Sequence, residues 1–511
     1  MIAAARSQQL ITQTNMNTTK TWFGHPRGLA TLFFTEMWER FSYYGMRAIL
    51  VFALVDAVGH GGQGLTDREA DAIYGLYISG IYVFSLAGGW LSDRIFGQQR
   101  AVLIGGVIIA LGHFTMAMPY TVTFYTGMLI IVLGTGLFKP TMSSLVGLLY
   151  SKDTSARRDA GFSIFYMGIN VGAFIGQILV GYLGENVGWH YGFAAAGIFM
   201  LLGLIQFKLT SHYLGGAGAP PHSNKDDQQY IRIRRQTLRV VVLLAVLVAA
   251  LVAMIKVGWL QISGVTLATY YSYVVGGITL LYFISVLLFG GLTVAESRRV
   301  LVIMVMVFTA AFFWAGFEQT GSSMNLFAQR YTDRIFFGWE IPASWLQSVN
   351  SFFVITLAPV LASLWLRLGA KRIDPSMPMK FGLGLIQLGL GFLVLVFASQ
   401  FVVRGEQIAP TWLVVTYLLH STGELCLSPV GLSTVTKLAP ARYAAQMMGT
   451  WFMANALGNV ISGLLAGHLG GDAVNEMPYR FLMVFVCTAG VGLLLLLFAK
   501  WINQLSNSET S

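Results

Sequence analysis

Fourteen stretches of mostly apolar residues, each long enough to cross a bilayer, leave this chain few folds to choose from. They cover roughly 28–55, 72–92, 101–118, 122–149, 160–184 and 190–212, then 240–258 and 268–290. The last six cover 300–328, 343–367, 379–402, 410–437, 443–470 and 480–503. In hydrocarbon every backbone N–H and C=O must find its partner within the segment, so such spans are helices. The expected class is an all-α polytopic membrane protein, with the lipid bilayer as its solvent. Composition agrees: 11% of the 511 residues are charged, where a soluble domain carries about 25%.

The order of the spans gives the domain plan. A polar cytoplasmic tail (1–27) precedes six helices (28–212), and a linker with two extra helices (213–299) precedes six more (300–504) and a short tail (505–511). Two bundles related as parallel repeats place a substrate near the midplane, between them. The extra pair holds no acid inside its spans and reads as peripheral packing. The first 26 residues have no apolar core, so no cleaved signal peptide is expected. Cys426 and Cys487 both sit in apolar runs, which argues against a disulfide framework.

The net charge of +10 would suit a nucleic-acid partner, but its distribution points to topology instead. Basic residues gather on one side of the expected membrane, at Lys152/Arg157/Arg158, Arg232/Arg234/Arg235/Arg239, Arg298/Arg299 and Lys371/Arg372. The opposite loops hold Arg68, Lys256, Arg330, Arg334, Arg404 and Arg480. The positive-inside rule then puts both termini in the cytoplasm.

Ionisable groups within the spans carry the functional signal, since each costs roughly 3 kcal/mol at the bilayer centre. At about 100° per residue, Glu36, Glu39, Arg40, Tyr43, Tyr44 and Arg47 share one side of the first span. Lys139, followed by Pro140, lies too deep in the fourth span to snorkel, so a buried charge is expected. Asn170 in the fifth span is either interhelical glue or a substrate contact. Span seven brings Trp314 and Glu318, span eight Asn350, and span ten His420, Glu424 and Ser428-Pro429. Two cations in the first half and two anions in the second suggest bridges that form and break between halves. His420 and Glu424 are four apart, but no third ligand is near, and no metal is expected. No nucleotide-binding loop or hydrolase motif is present, so no enzyme is predicted.

Gly89-Trp-Leu-Ser-Asp93-Arg94-Ile-Phe-Gly97-Gln-Gln-Arg100 resembles the conserved cytoplasmic loop of the major facilitator superfamily, with Asp93 and Arg94 as its structural residues. Three further motifs resemble the proton-coupled oligopeptide transporters: Glu36-x-x-Glu39-Arg40-Phe41-x-Tyr43-Tyr44-Gly45, Phe165-Tyr166-x-x-Ile169-Asn170-x-Gly172 and Glu424-Leu-Cys-Leu-Ser428-Pro429-x-Gly431. The resemblance implies the major facilitator fold of two six-helix bundles plus two inserted transmembrane helices. It also implies import of di- and tripeptides with protons by alternating access, without a cofactor, in a bacterial inner membrane and as a monomer.

By the same resemblance Glu36, Glu39, Arg40, Glu318 and Glu424 couple protons. Tyr43, Tyr44, Arg47, Tyr82 and Lys139 receive the peptide carboxylate and backbone, and Asn170, Asn350 and Glu424 hold its amino end. Trp314, Trp451 and Phe452 line side-chain pockets, with Asn455 where some bacterial members have serine. Arg47 with Glu318 is the implied gate, and Lys139 with Glu424 its companion. Animal members carry a histidine in the second span; its absence here throws the proton route onto carboxylates. The competing readings are a relative carrying nitrate or exporting drugs, and a receptor that transports nothing.

Overall fold

The computed structural model describes residues 21–150, 155–219, 263–469 and 474–506, with Ile231, Arg232, Arg235 and Arg239 between them. The expected span at 240–258, Lys152 and Arg234, the side chain of Arg94 and the ends of both tails lie outside the described residues.

Six long helices come first: α1 (Arg27–Val55), α2 (Asp67–Leu91), α3 (Gln98–Met116), α4 (Thr121–Leu149), α5 (Ser155–Asn186) and α6 (Trp189–Thr210). One described helix of the inserted pair follows, α7 (Gly264–Phe289). The second half holds α8 (Val294–Phe317), a short α9 (Ser323–Tyr331), α10 (Trp345–Ala370), α11 (Met377–Val403), α12 (Thr411–Leu438), α13 (Ala444–Leu469) and α14 (Met477–Ser506). Among the described residues ten helices are long and apolar enough to cross a membrane. The charged α1 and the polar-rich α12 and α13 are not among them. These three are the helices that carry most of the expected site.

Capping chemistry sets several helix starts outside the apolar runs. Thr66 and Glu69 form a reciprocal capping box, so α2 begins at Asp67 and takes Asp71 into its first turns. Thr293 and Glu296 do the same for α8. The seventh span, expected as one helix over 300–328, is instead broken. After Phe317 the chain makes a tight 3₁₀ turn, Glu318–Gly321, and restarts as α9 at Ser323. Gly321-Ser322-Ser323 are weak helix formers, and the turn aims Glu318 at α1.

Within the first half α1 packs on α5 and α6, and α4 on α2 and α3; in the second, α11 packs on α12 and α14, and α8 on α13. The halves meet along α2 with α13 and α5 with α10. Helix α7 touches both halves and leaves most of its surface exposed. Ser79 of α2 donates to Tyr271 at 3.4 Å, and Tyr282 donates to Gln446 of α13 at 3.1 Å. Asp93 accepts a hydrogen bond at 3.0 Å from the side chain of Gln98, the first residue of α3, and not from that helix's backbone.

Candidate functional site

The charged face of α1 forms as its spacing demands. Arg40 Nε lies 3.0 Å from Glu36 Oε1 and also contacts Glu39, all three buried. The guanidinium carbon sits 5.1 Å from the centre of the Tyr43 ring. Both carboxylates thus share one guanidinium as counter-charge, away from water. Breaking such a buried pair from one side typically costs about 3–5 kcal/mol.

Two turns further along α1, Arg47 donates to Glu318 of the other half and, through Nε, to the Tyr74 hydroxyl of α2. Tyr44 and Tyr74 present their rings to its guanidinium, each centre 5.7 Å away. Gly321 makes room for this knot, since a Cβ there would lie 1.8 Å from Tyr74 Oη. Further contacts between the halves gather at the same end. Arg330 of α9 makes a bidentate bridge to Asp67 of α2 at 2.5 and 2.8 Å. Glu185 of α5 accepts from the backbone N–H groups of Ala343 and Ser344 at 2.8 and 2.9 Å, and from the Ser344 hydroxyl. Asn325 donates to the Ala48 carbonyl at 2.7 Å. The molecule is closed at the end that carries the α1–α2 turn.

Toward the other end the expected residues are looser. Lys139 is half-buried with Nζ 3.8 Å from the centre of the Tyr82 ring. Glu424 is half-buried too, and no ion pair joins it to Lys139 in this conformation. Asn350 donates to Ser421, one turn before Glu424, at 2.8 Å. Asn170 and Asn455 each donate to a carbonyl one turn back on their own helix, at 3.1 and 3.0 Å. Trp314 and Phe452 are half-buried. Trp451 lies on Gly431 of the Ser428-Pro429-x-Gly431 motif, where a Cβ would come within 2.0 Å of its ring. Among the described residues no group of three or more His, Cys, Asp or Glu could hold a metal.

The sequence reading missed Tyr74, Glu185 and the Asp67–Arg330 bridge. Tyr74 is one of several tyrosines in its span, with nothing local to distinguish it. The others lie near span ends, where charges are ordinary.

Two helix bundles in a membrane, closed at one end by bridges between them and lined with charges midway, define a secondary transporter of the major facilitator fold, not an enzyme. The chain belongs to the POT family, whose model matches residues 99–470. It is 41% identical to the peptide transporter YePEPT of Yersinia enterocolitica, across 98% of this chain and 100% of that one. It is 34% identical to a di-/tripeptide transporter of Lactococcus lactis subsp. cremoris, across 96% of this chain and 99% of the relative. A crystal structure of peptide transporter POT in complex with sulfate superposes with a TM-score of 0.87 at 40% identity, covering 95% of this chain and 97% of the other.

Proposed function

We propose that this protein imports di- and tripeptides with protons by alternating access, holding the peptide zwitterion between Arg47/Lys139 and Glu424. The observation that carries this reading is the division of charge. Arg47 is paired across the closed end with Glu318, while Lys139 and Glu424 remain half-buried with no ion pair between them. A dipeptide offers an anion to the first half and a cation to the second. The distribution of basic loops supports placing the closed end outside a bacterial inner membrane, both termini being cytoplasmic. Each chain carries a whole set of these residues, so a monomer suffices.

Reconstituted protein should take up a labelled dipeptide, and excess di- or tripeptide should compete while single amino acids and nitrate should not. Competition by nitrate alone would move the assignment to an anion carrier, and no uptake at all would favour a receptor.

In this account the Arg47–Glu318 bridge exists only while the outer end is closed. Glu318→Gln should therefore raise labelling of engineered cysteines at that end. Gly321→Ala should do the same by pushing Tyr74 off Arg47. Labelling unchanged in both would make the bridge a static one.

A further inference from the structure

Asp71 is a buried acid that none of the roles above uses. Its side chain is 0% exposed, and among the described residues neither carboxylate oxygen has a hydrogen-bond partner. It lies where α2 of the first half meets α13 of the second, backbone against backbone. A Cβ on Gly75 would stand 2.8 Å from the Asn459 carbonyl oxygen, and one on Gly463 would stand 2.3 Å from the carbonyl oxygen of Asp71 itself. Contact this close excludes water while this end is closed, and water returns when α2 and α13 part.

Among the described residues no cation forms an ion pair with Asp71. Asp67, one turn earlier, is of like sign, and Arg330 of α9 spends its bidentate bridge on Asp67. Helix α13 carries no Asp, Glu, Lys or Arg, and the side chain of its single histidine, His468, is outside the described residues. Helix α7 brings tyrosines but no acid or base, and Tyr271 meets Ser79 two turns deeper. Arg47 of α1 and Glu318 face each other and Tyr74. A bare carboxylate in such a place is too costly to keep, whereas a protonated one is tolerable.

We propose that Asp71 is a further proton-binding site, one that holds its proton while the α1–α2 end is closed and gives it up when that end opens. The inference rests on the alternating-access reading but not on peptide being the cargo. The proton comes from, and returns to, the solution at that face. Asp71 therefore senses pH there and adds nothing to the protons carried across: acid favours closure and alkali favours opening.

The test is a distance measurement between labels at the exposed Val58 and Phe337, on the full-length protein in liposomes across a range of external pH. One proton lost on opening changes the closed-to-open ratio by up to tenfold per pH unit. Asp71→Asn should stay closed at alkaline pH and lose that share of the response. Identical pH curves for the two proteins would overturn the proposal. Should the variant fail to fold, infrared spectroscopy of unmodified protein with carboxyl-13C aspartate decides instead. A protonated aspartate band at neutral pH in the closed state, lost on opening, supports the site, and its absence refutes it. A wild-type distance that ignores pH also overturns the proposal, whereas one that changes neither with pH nor in Glu318→Gln counts against alternating access itself.

Discussion

Glu36→Gln combined with Glu39→Gln is expected to abolish uphill, proton-driven accumulation of peptide while leaving peptide counterflow measurable. Both carboxylates are buried against Arg40, and that cluster shares α1 with Arg47. A carboxylate in a dry site exchanges a proton only if its counter-ion can leave, and Arg40 is the counter-ion in contact with both. Peptide carboxylate arriving at Arg47 and Lys139 would shift the balance of charge along this face, linking occupancy to protonation in both directions. Counterflow exchanges peptide for peptide with no net proton movement, so it should survive. Each single variant leaves Arg40 one carboxylate, so both should fold well. The double variant strands a buried cation, at a cost of about 3–5 kcal/mol, and its yield should fall. Accumulation at the wild-type level in a well-folded double variant would take the motif out of the proton path and throw coupling onto Glu424.

Capping the amino end of a dipeptide should weaken binding far more than changing either side chain. In the zwitterion clamp that amine faces Glu424, with Asn350 and Asn170 on neighbouring helices. Truncating one partner of a desolvated charge pair costs about 2–5 kcal/mol, roughly thirtyfold to several-thousandfold in affinity. An N-acetylated dipeptide should bind weaker than the free one by that factor. In Glu424→Gln the two should bind alike, both weakly. Competition binding reads all four combinations, and equal affinity of free and acetylated peptide for the unmodified protein would remove the clamp. Side-chain changes should matter less in this clamp, because the walls proposed for it, Trp314, Trp451 and Phe452, are largely apolar rings.

The parts of this site that were legible in the sequence are those where charge meets an apolar run. Glu36, Glu39, Arg40 and Arg47 stand out because nothing in lipid excuses them, and helical spacing alone puts them on one face. Matching charges pointed to bridges between the halves, and the family resemblance implied that Arg47 pairs with Glu318. The geometry of that pair was not legible, because the break after Phe317 that turns Glu318 toward α1 arises from a Gly-Ser-Ser step inside an apolar stretch. Asp71 escaped for a different reason. Hydropathy starts the second span at 72 and leaves Asp71 in a loop, whereas the Thr66–Glu69 capping box starts the helix at Asp67 and carries Asp71 inside. That signal was present in the sequence at the right spacing. Tyr74 and the reach of α7 across both halves depend on tertiary contacts that no local pattern encodes.

Proton movement tied to peptide is the centre of this account, and proteoliposomes loaded with a pH-sensitive dye measure it most directly. With the purified protein reconstituted and no other driving force imposed, adding external dialanine should acidify the lumen. N-acetyl-dialanine should not, and neither should dialanine with the Glu36→Gln/Glu39→Gln protein. Robust peptide uptake with no change in lumenal pH would contradict the account.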